Sequence, residues 1–343
     1  KSITRAMCNC FGTIRGDYWR LLILKIMQQY INTGNKDTRS GFGAALSELS
    51  DRNPNIVALC ADLTGSVKMD GLASKYPERF FQCGIAEANM IGVAAGLALS
   101  GKIPFVGSFA NFVTARVYDQ IRQSIAYSKT NVKIAASHSG LTVGEDGATH
   151  QTLEDLGIMR IMPEMVVINP CDYNQTKAAT FAVAEYVGPV YLRFGRPSVP
   201  NFTPEDQVFE IGKAVTLSEG SDVSIFATGH LVWEAIQAAE ILEKEGISVD
   251  LINIHTIKPL DEEAVLKSVG KTKAAVVAEE HLVAGGLGEL IAGVLARKAP
   301  APMEFVEVDD RFGQSGKPKQ LLEAYGLDAA NIVAAVKKVL ARK

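Results

Sequence analysis

The sequence predicts an α/β protein of two consecutive domains, each built on a mainly parallel sheet. From about residue 36 onward, short β-rich runs alternate with helical stretches. Most of these runs are continuously apolar rather than alternating, as expected of parallel strands covered on both faces. A polar stretch at 197–220, with three prolines and several acidic residues, then separates one strand–helix series from a second.

In the first series the expected strands are 56–60 (I-V-A-L-C), 80–83 (F-F-Q-C), 104–107 (P-F-V-G), 132–136 (V-K-I-A-A), 166–169 (V-V-I-N) and 190–194 (V-Y-L-R-F). Helical spacing of apolar residues fills the gaps at 41–50, 87–99, 115–127 and 174–186. The second series places strands at 223–227, 249–252, 274–278 and 304–308, with helices at 232–245, 287–296 and 329–340. This divides the chain into a domain at 36–200, an exposed linker, and a domain at 215–343. Residues 1–35 read as an N-terminal extension to which we assign no function. The chain opens with Lys1, the apolar patch at 21–24 is too short to span a bilayer, and Met27 would make a natural start.

Bulk composition narrows the function. The chain is 47% hydrophobic and 21% charged, the make-up of a soluble globular protein. A net charge of -3 and a pI near 6.0 argue against nucleic acid or an anionic membrane as partner. Five cysteines are too few and too scattered for a disulfide framework. Cys60, Cys83 and Cys171 read as small core residues, and Cys8 and Cys10 lack the second pair that a zinc site needs. A reduced, cytoplasmic setting is expected.

Functional residues of open α/β sheets gather beyond the carboxyl ends of the strands. After the first strand comes A-D-L-T-G-S, with Asp62 and Ser66. After the second comes G-I-A-E-A-N-M, with Glu87 opening an apolar helix, and after the third S-F-A-N-F, with Phe109 and Phe112. The fourth is followed by S-H-S-G-L-T-V-G-E-D-G-A-T-H-Q, with His138, Asp146 and His150. The last runs into L-R-F-G-R-P, with Arg193 and Arg196. Each has a plainer role if taken alone. Glu87 could serve the helix dipole, the phenylalanines could be core, Asp62 could cap a turn, and Arg39 could be solvated surface. A core role does not suit both histidines, because they flank a glycine-rich segment poor in apolar residues.

Together these segments resemble the transketolase family over roughly residues 36–343. The motifs are T-R at 38–39, A-D-L-T-x-S at 61–66, G-I-A-E-A-N-M at 84–90, F-x-N-F-x-T-A at 109–115, Y-D-Q-I-R at 118–122 and G-E-D-G-x-T-H-Q at 144–151. The second domain adds I-K-P-L-D at 257–261, E-E-H-x-x-x-G-G-L-G-E at 279–289 and S-G-K-P at 315–318. The resemblance implies a pyrimidine-binding domain followed by a transketolase C-terminal domain, with thiamine diphosphate as cofactor. It implies that Glu87 hydrogen-bonds the aminopyrimidine ring, that Phe109 and Phe112 wall it, and that Asp62 lies near the cofactor. Ala115 stands where some members have a third aromatic. On the substrate side it implies that Asp146 reads a sugar hydroxyl and His150 transfers protons. Arg39, Ser66, His138 and Arg196 would hold a terminal phosphate, a mixture of forked cations and directional hydrogen-bond groups suited to a dianion. Arg196 suits this role better than Arg193, and His281 reads as structural.

The family's G-D-G…N motif, which grips the diphosphate through Mg²⁺, does not occur in the sequence. The expectation is a separate N-terminal subunit that carries the metal and shares the cofactor, in a heterotetramer that also involves self-association, acting on sugar phosphates. The beta subunit of a 2-oxo acid dehydrogenase first component, half of a deoxyxylulose phosphate synthase, and a non-catalytic scaffold are the alternatives.

Overall fold

The structure, a computed structural model, describes residues 30–343. The Cys8 and Cys10 pair and most of the expected extension lie outside the described residues.

Seven strands form the first sheet, in the spatial order β12-β6-β7-β5-β4-β2-β3. These are β2 (Ile56–Cys60), β3 (Phe80–Gln82), β4 (Ile103–Phe109), β5 (Lys133–Ser137), β6 (Val166–Ile168), β7 (Val190–Arg193) and β12 (Thr256–Lys258). All neighbours pair in parallel except β12, which runs antiparallel to β6. Residues of alternate parity go to opposite faces, as a pleated strand requires. Leu59, Val106 and Ile134 enter one core cluster, whereas Ala58, Cys60, Phe105 and Ala135 enter another. The continuous apolar runs follow from this two-sided burial.

The second sheet has the order β14-β13-β10-β11-β9: β9 (Val215–Ser218), β10 (Val223–Ala227), β11 (Val249–Asn253), β13 (Ala275–Leu282) and β14 (Met303–Val308). It too is parallel, apart from β9. β1 (Asn35–Asp37) and β8 (Ser198–Pro200) make a two-stranded antiparallel ribbon. Four helices start from an aspartate whose side chain accepts a backbone N–H of the first turn: Asp37, Asp172, Asp261 and Asp328.

The structure departs from the sequence reading in two places. The stretch after residue 197 is not a wholly exposed linker. Asn201, Phe202 and Thr203 are buried, and Asp172 accepts hydrogen bonds from both the Phe202 and Thr203 backbone N–H groups at 2.8 and 2.7 Å. In addition, β12 returns from the second series to extend the first sheet, so one core cluster runs from Leu59 and Met90 through Val167 to Ile257 and Val277. The two units therefore share packing. Cys60 and Cys171 are buried and Cys83 half-buried, all three as free thiols.

Candidate active site at the strand ends

Strands β7, β5, β4 and β2 are consecutive neighbours, and register aligns Arg193 with Ala136, Ser137 with Phe109, and Gly107 with Cys60. The segments leaving them carry Arg196, His138, Phe112 and Asp62, which topology brings to one edge. Asp62 and His138 both sit at positive φ, 59° and 58°, the left-handed region that is uncommon for non-glycine residues.

Glu87 is the first residue of the helix Glu87–Leu99 and is 5% exposed. Its side chain does not cap the helix. Instead Oε1 lies 3.2 Å from Arg116 Nη1, and that guanidinium sits 4.3 Å over the Phe112 ring. Phe112 stacks on Phe109 at 5.5 Å, and Phe109 stacks on His138 at 3.8 Å. His150 meets Phe112 edge-on at 5.4 Å. Carboxylate, aromatic wall and both site histidines thus form one contiguous group. Phe109 is buried between ring partners, while half-buried Phe112 carries the accessible aromatic surface.

The residues expected to hold an anion also come close together. His138 is 3% exposed, and its Nδ1 shares a hydrogen bond with Ser137 Oγ at 2.8 Å. Burial, and then the nearby charges of Arg39, Arg196 and His150, push it down to about 3, so it is neutral at pH 7. Arg39 Nη1 donates to the Ser66 carbonyl at 3.0 Å, which joins two members of the set through backbone. Its Nε is buried and lies 3.3 Å from Asp37 without completing a hydrogen bond. Burial lowers the Arg39 pKa, and the like charge of Arg196 adds to this. Arg196 Nη1 donates to the Val143 carbonyl at 2.7 Å and faces Glu145 and Asp146 at 3.4 and 3.7 Å. His150 Nδ1 pairs with Thr149 Oγ1 at 3.0 Å, and Nε2 has no hydrogen-bond partner among the described residues.

Arg193 behaves differently. It is fully buried, with Nε 2.8 Å from Asp155 Oδ2 and Nη2 on the Glu280 carbonyl at 3.0 Å. His281 is likewise occupied: Nδ1 bonds the Leu282 carbonyl at 2.7 Å, and Nε2 accepts from Gly157 N–H. Both are structural. Sequence reasoning missed Arg116. It also missed Gln151, whose Nε2 donates to the Leu141 and Gln314 carbonyls at 3.0 Å each and so ties its motif to the second domain. The S-G-K-P motif serves the same junction, because a side chain at Gly147 would strike Ser315 Oγ.

A buried carboxylate beside a half-open phenylalanine fits the heteroaromatic end of a cofactor. The buried Arg39 Nε–H without an acceptor fits an incoming anion. Among the described residues no group of three or more His, Cys, Asp or Glu is placed to hold a metal ion.

An α/β chain with this site belongs to a class defined by two known domains. Residues 35–201 match the transketolase pyrimidine-binding domain and residues 212–332 the transketolase C-terminal domain. The chain belongs to the transketolase family. It is 47% identical over 300 residues to a Methanocaldococcus jannaschii protein provisionally described as a transketolase C-terminal section, covering 87% of this chain and 94% of that one. It is 45% identical over 298 residues to a 6-deoxy-6-sulfo-D-fructose transketolase subunit of Clostridium sp. strain MSTE9, covering 87% and 92%. Among solved structures, a split-gene transketolase captured as an inactive beta4 tetramer superposes with a TM-score of 0.83 at 47% identity, over 90% of this chain and 99% of that one. No helix among the described residues is long and apolar enough to cross a membrane.

Proposed function

We propose that this chain is the C-terminal subunit of a split, thiamine-diphosphate-dependent transketolase. It would transfer two-carbon ketol units between phosphorylated sugars once joined by an N-terminal subunit that supplies Mg²⁺ and the diphosphate grip. The contiguous group of Glu87, Phe112, His150 and His138 carries this reading. The near-complete coverage of relatives that are themselves sections or subunits supports the separate partner.

When bound, thiamine diphosphate supplies a nucleophilic carbon and an electron sink. Glu87 holds the pyrimidine nitrogen through a short-range hydrogen bond in a dry setting, while Phe112, packed on Phe109, orients the ring. Asp62 is exposed at the end of β2 and would lie near the cofactor and the subunit junction. Arg39, Ser66, Arg196 and neutral His138 hold the terminal phosphate, and Asp146 selects a hydroxyl beside Arg196. His150 Nε2 moves protons at the reacting carbons.

The test is reconstitution. Mixed with the N-terminal subunit of a split transketolase, thiamine diphosphate and Mg²⁺, the chain should transfer a ketol unit from xylulose 5-phosphate to ribose 5-phosphate, and it should not do so alone. Glu87→Ala should lower kcat by about 10²–10⁴-fold, the scale of a lost acid–base group. A reconstituted complex that is silent with phosphorylated and sulfonated ketoses alike, or a Glu87→Ala complex of unchanged kcat, overturns the reading.

A further inference from the structure

We propose that the second domain sets the geometry of the terminal-anion subsite, with Glu280 as the positioning residue. This rests on the function proposed above, and it assigns to the second domain a part in substrate binding.

Glu280 lies on β13, in the second sheet, and its side chain is buried. The carboxylate crosses to the loop that leaves β5. Oε1 accepts the Thr142 backbone N–H at 2.6 Å and Oε2 accepts Thr142 Oγ1 at 3.2 Å. The next residue, Val143, presents the carbonyl to which Arg196 Nη1 donates at 2.7 Å. One carboxylate therefore fixes Thr142, through its backbone N–H and its hydroxyl, one residue before the carbonyl that aims a substrate-holding guanidinium. No other polar side chain of the second domain bonds so directly, among the described residues, to the backbone of this loop.

The surrounding residues are arranged to keep this contact in place. Gly140 lies at φ 76°, and a Cβ there would fall 2.4 Å from Glu280 Oε1, so the loop can approach the carboxylate only without a side chain. The Glu280 carbonyl receives Arg193 Nη2 at 3.0 Å, and Arg193 is held by Asp155. The Glu280 main chain is thus anchored to the first domain from behind while its carboxylate reaches the loop in front. His230 Nδ1 stands 3.9 Å from Oε2, and burial pushes that histidine down to about 4, so it brings no charge at pH 7. The other end of the loop is closed independently, by Gln151 on the Gln314 carbonyl and by Gly147 against Ser315. Removing Glu280 therefore frees the Thr142 N–H and hydroxyl, next to Val143, without releasing His150.

Two measurements test this. In the full chain, Glu280→Ala should speed hydrogen exchange of the 140–147 amides by about tenfold or more, the loss expected when a buried N–H gives up a charged acceptor. Glu280→Gln, which keeps an acceptor oxygen, should stay within about threefold of the parent, and β10 amides should be unchanged in both. In the reconstituted complex, Glu280→Ala should raise KM for xylulose 5-phosphate about tenfold with kcat nearly kept, leave KM for unphosphorylated xylulose within about twofold, and leave thiamine diphosphate binding intact. Unchanged exchange at 140–147 in a folded Glu280→Ala chain, or equal KM losses on both ketoses, overturns the proposal. A parent complex that transfers no ketol unit defeats the function proposed above, while the exchange measurement still decides whether Glu280 braces the loop.

Discussion

Arg193 and Arg196 stand three residues apart where β7 ends, and they have opposite fates. Arg193 is sealed in. Asp155 takes its Nε, Glu280 takes its Nη2, and Tyr191 adds a hydroxyl to the same carboxylate at 2.7 Å. Arg196 is part-exposed, rests on one carbonyl, and faces two exposed acids at longer range. The same contrast separates His281, with both ring nitrogens engaged, from His150, with one nitrogen free. Arg193 and His281 are saturated by the chain and hold the fold together, whereas Arg39, Arg196 and His150, near the ends of the first sheet's strands, keep hydrogen-bonding capacity unused. That is where a ligand would complete them.

Substitution of the two arginines should break this symmetry most strongly. Burial alone would raise the Asp155 pKa, but Arg193 and Tyr191 hold it below its ordinary value. Arg193→Met leaves that carboxylate buried without its cation, which should cost about 3–5 kcal/mol in denaturant unfolding. Arg196→Met should change stability by no more than about 1 kcal/mol and instead raise KM for phosphorylated ketoses. Equal stability losses would erase the distinction.

A pH titration of stability sharpens the comparison from both ends. His138 in the folded chain is pushed down to about 3, against about 6.5 when unfolded. The unfolded chain therefore binds the extra proton first, and stability present above pH 6.5 is lost toward pH 3 by about 1.4 kcal/mol per unit. Glu307 shows the reverse. Burial, and then the neighbouring Glu279 carboxyl, push it well up. The folded state keeps a proton that the unfolded state releases near the ordinary carboxylate range, so this contribution falls as pH rises above that range. His138→Asn should flatten the acid limb and Glu307→Gln the alkaline limb, both read as Tm against pH. Parallel changes in both limbs would show that neither group acts as described.

How much of this was legible beforehand depended on distance along the chain. Continuous apolar strands and the residues that follow them are local patterns, so β2, β4, β5 and β7 and the candidate residues placed after them could be read directly. β12 is only T-I-K, and it joins β6 through a pairing that no local pattern announces. Glu280 meets Thr142 across 138 positions. The buried 201–203 segment looked like linker because its polarity is satisfied by Asp172, a residue about thirty positions earlier. Arg116 escaped notice because it follows Ala115 in a stretch read for its aromatics.

Arg116 also gives the smallest expected effect. Its side chain is half exposed, and its contacts are an ion pair with Glu87 and a position over the Phe112 face. With one partner half exposed, this pair is weaker than the sealed Arg193–Asp155 pair, so Arg116→Ala should cost less stability than Arg193→Met even though it leaves buried Glu87 without its cation. Its position matters more than its energy, because it occupies both groups assigned to the pyrimidine. A heterocycle that takes the Glu87 carboxylate and the Phe112 face has to displace the guanidinium, at a cost of about 0.5–1 kcal/mol for a cation–π contact at an exposed site. Removing Arg116 should therefore tighten thiamine diphosphate binding to the reconstituted complex by roughly two- to fivefold, measured by calorimetry, since about 1.4 kcal/mol is a factor of ten. Weaker binding would mean that Arg116 stays beside Glu87 and supports it, and the partly unsaturated character assigned to this edge of the sheet would then stop short of position 87.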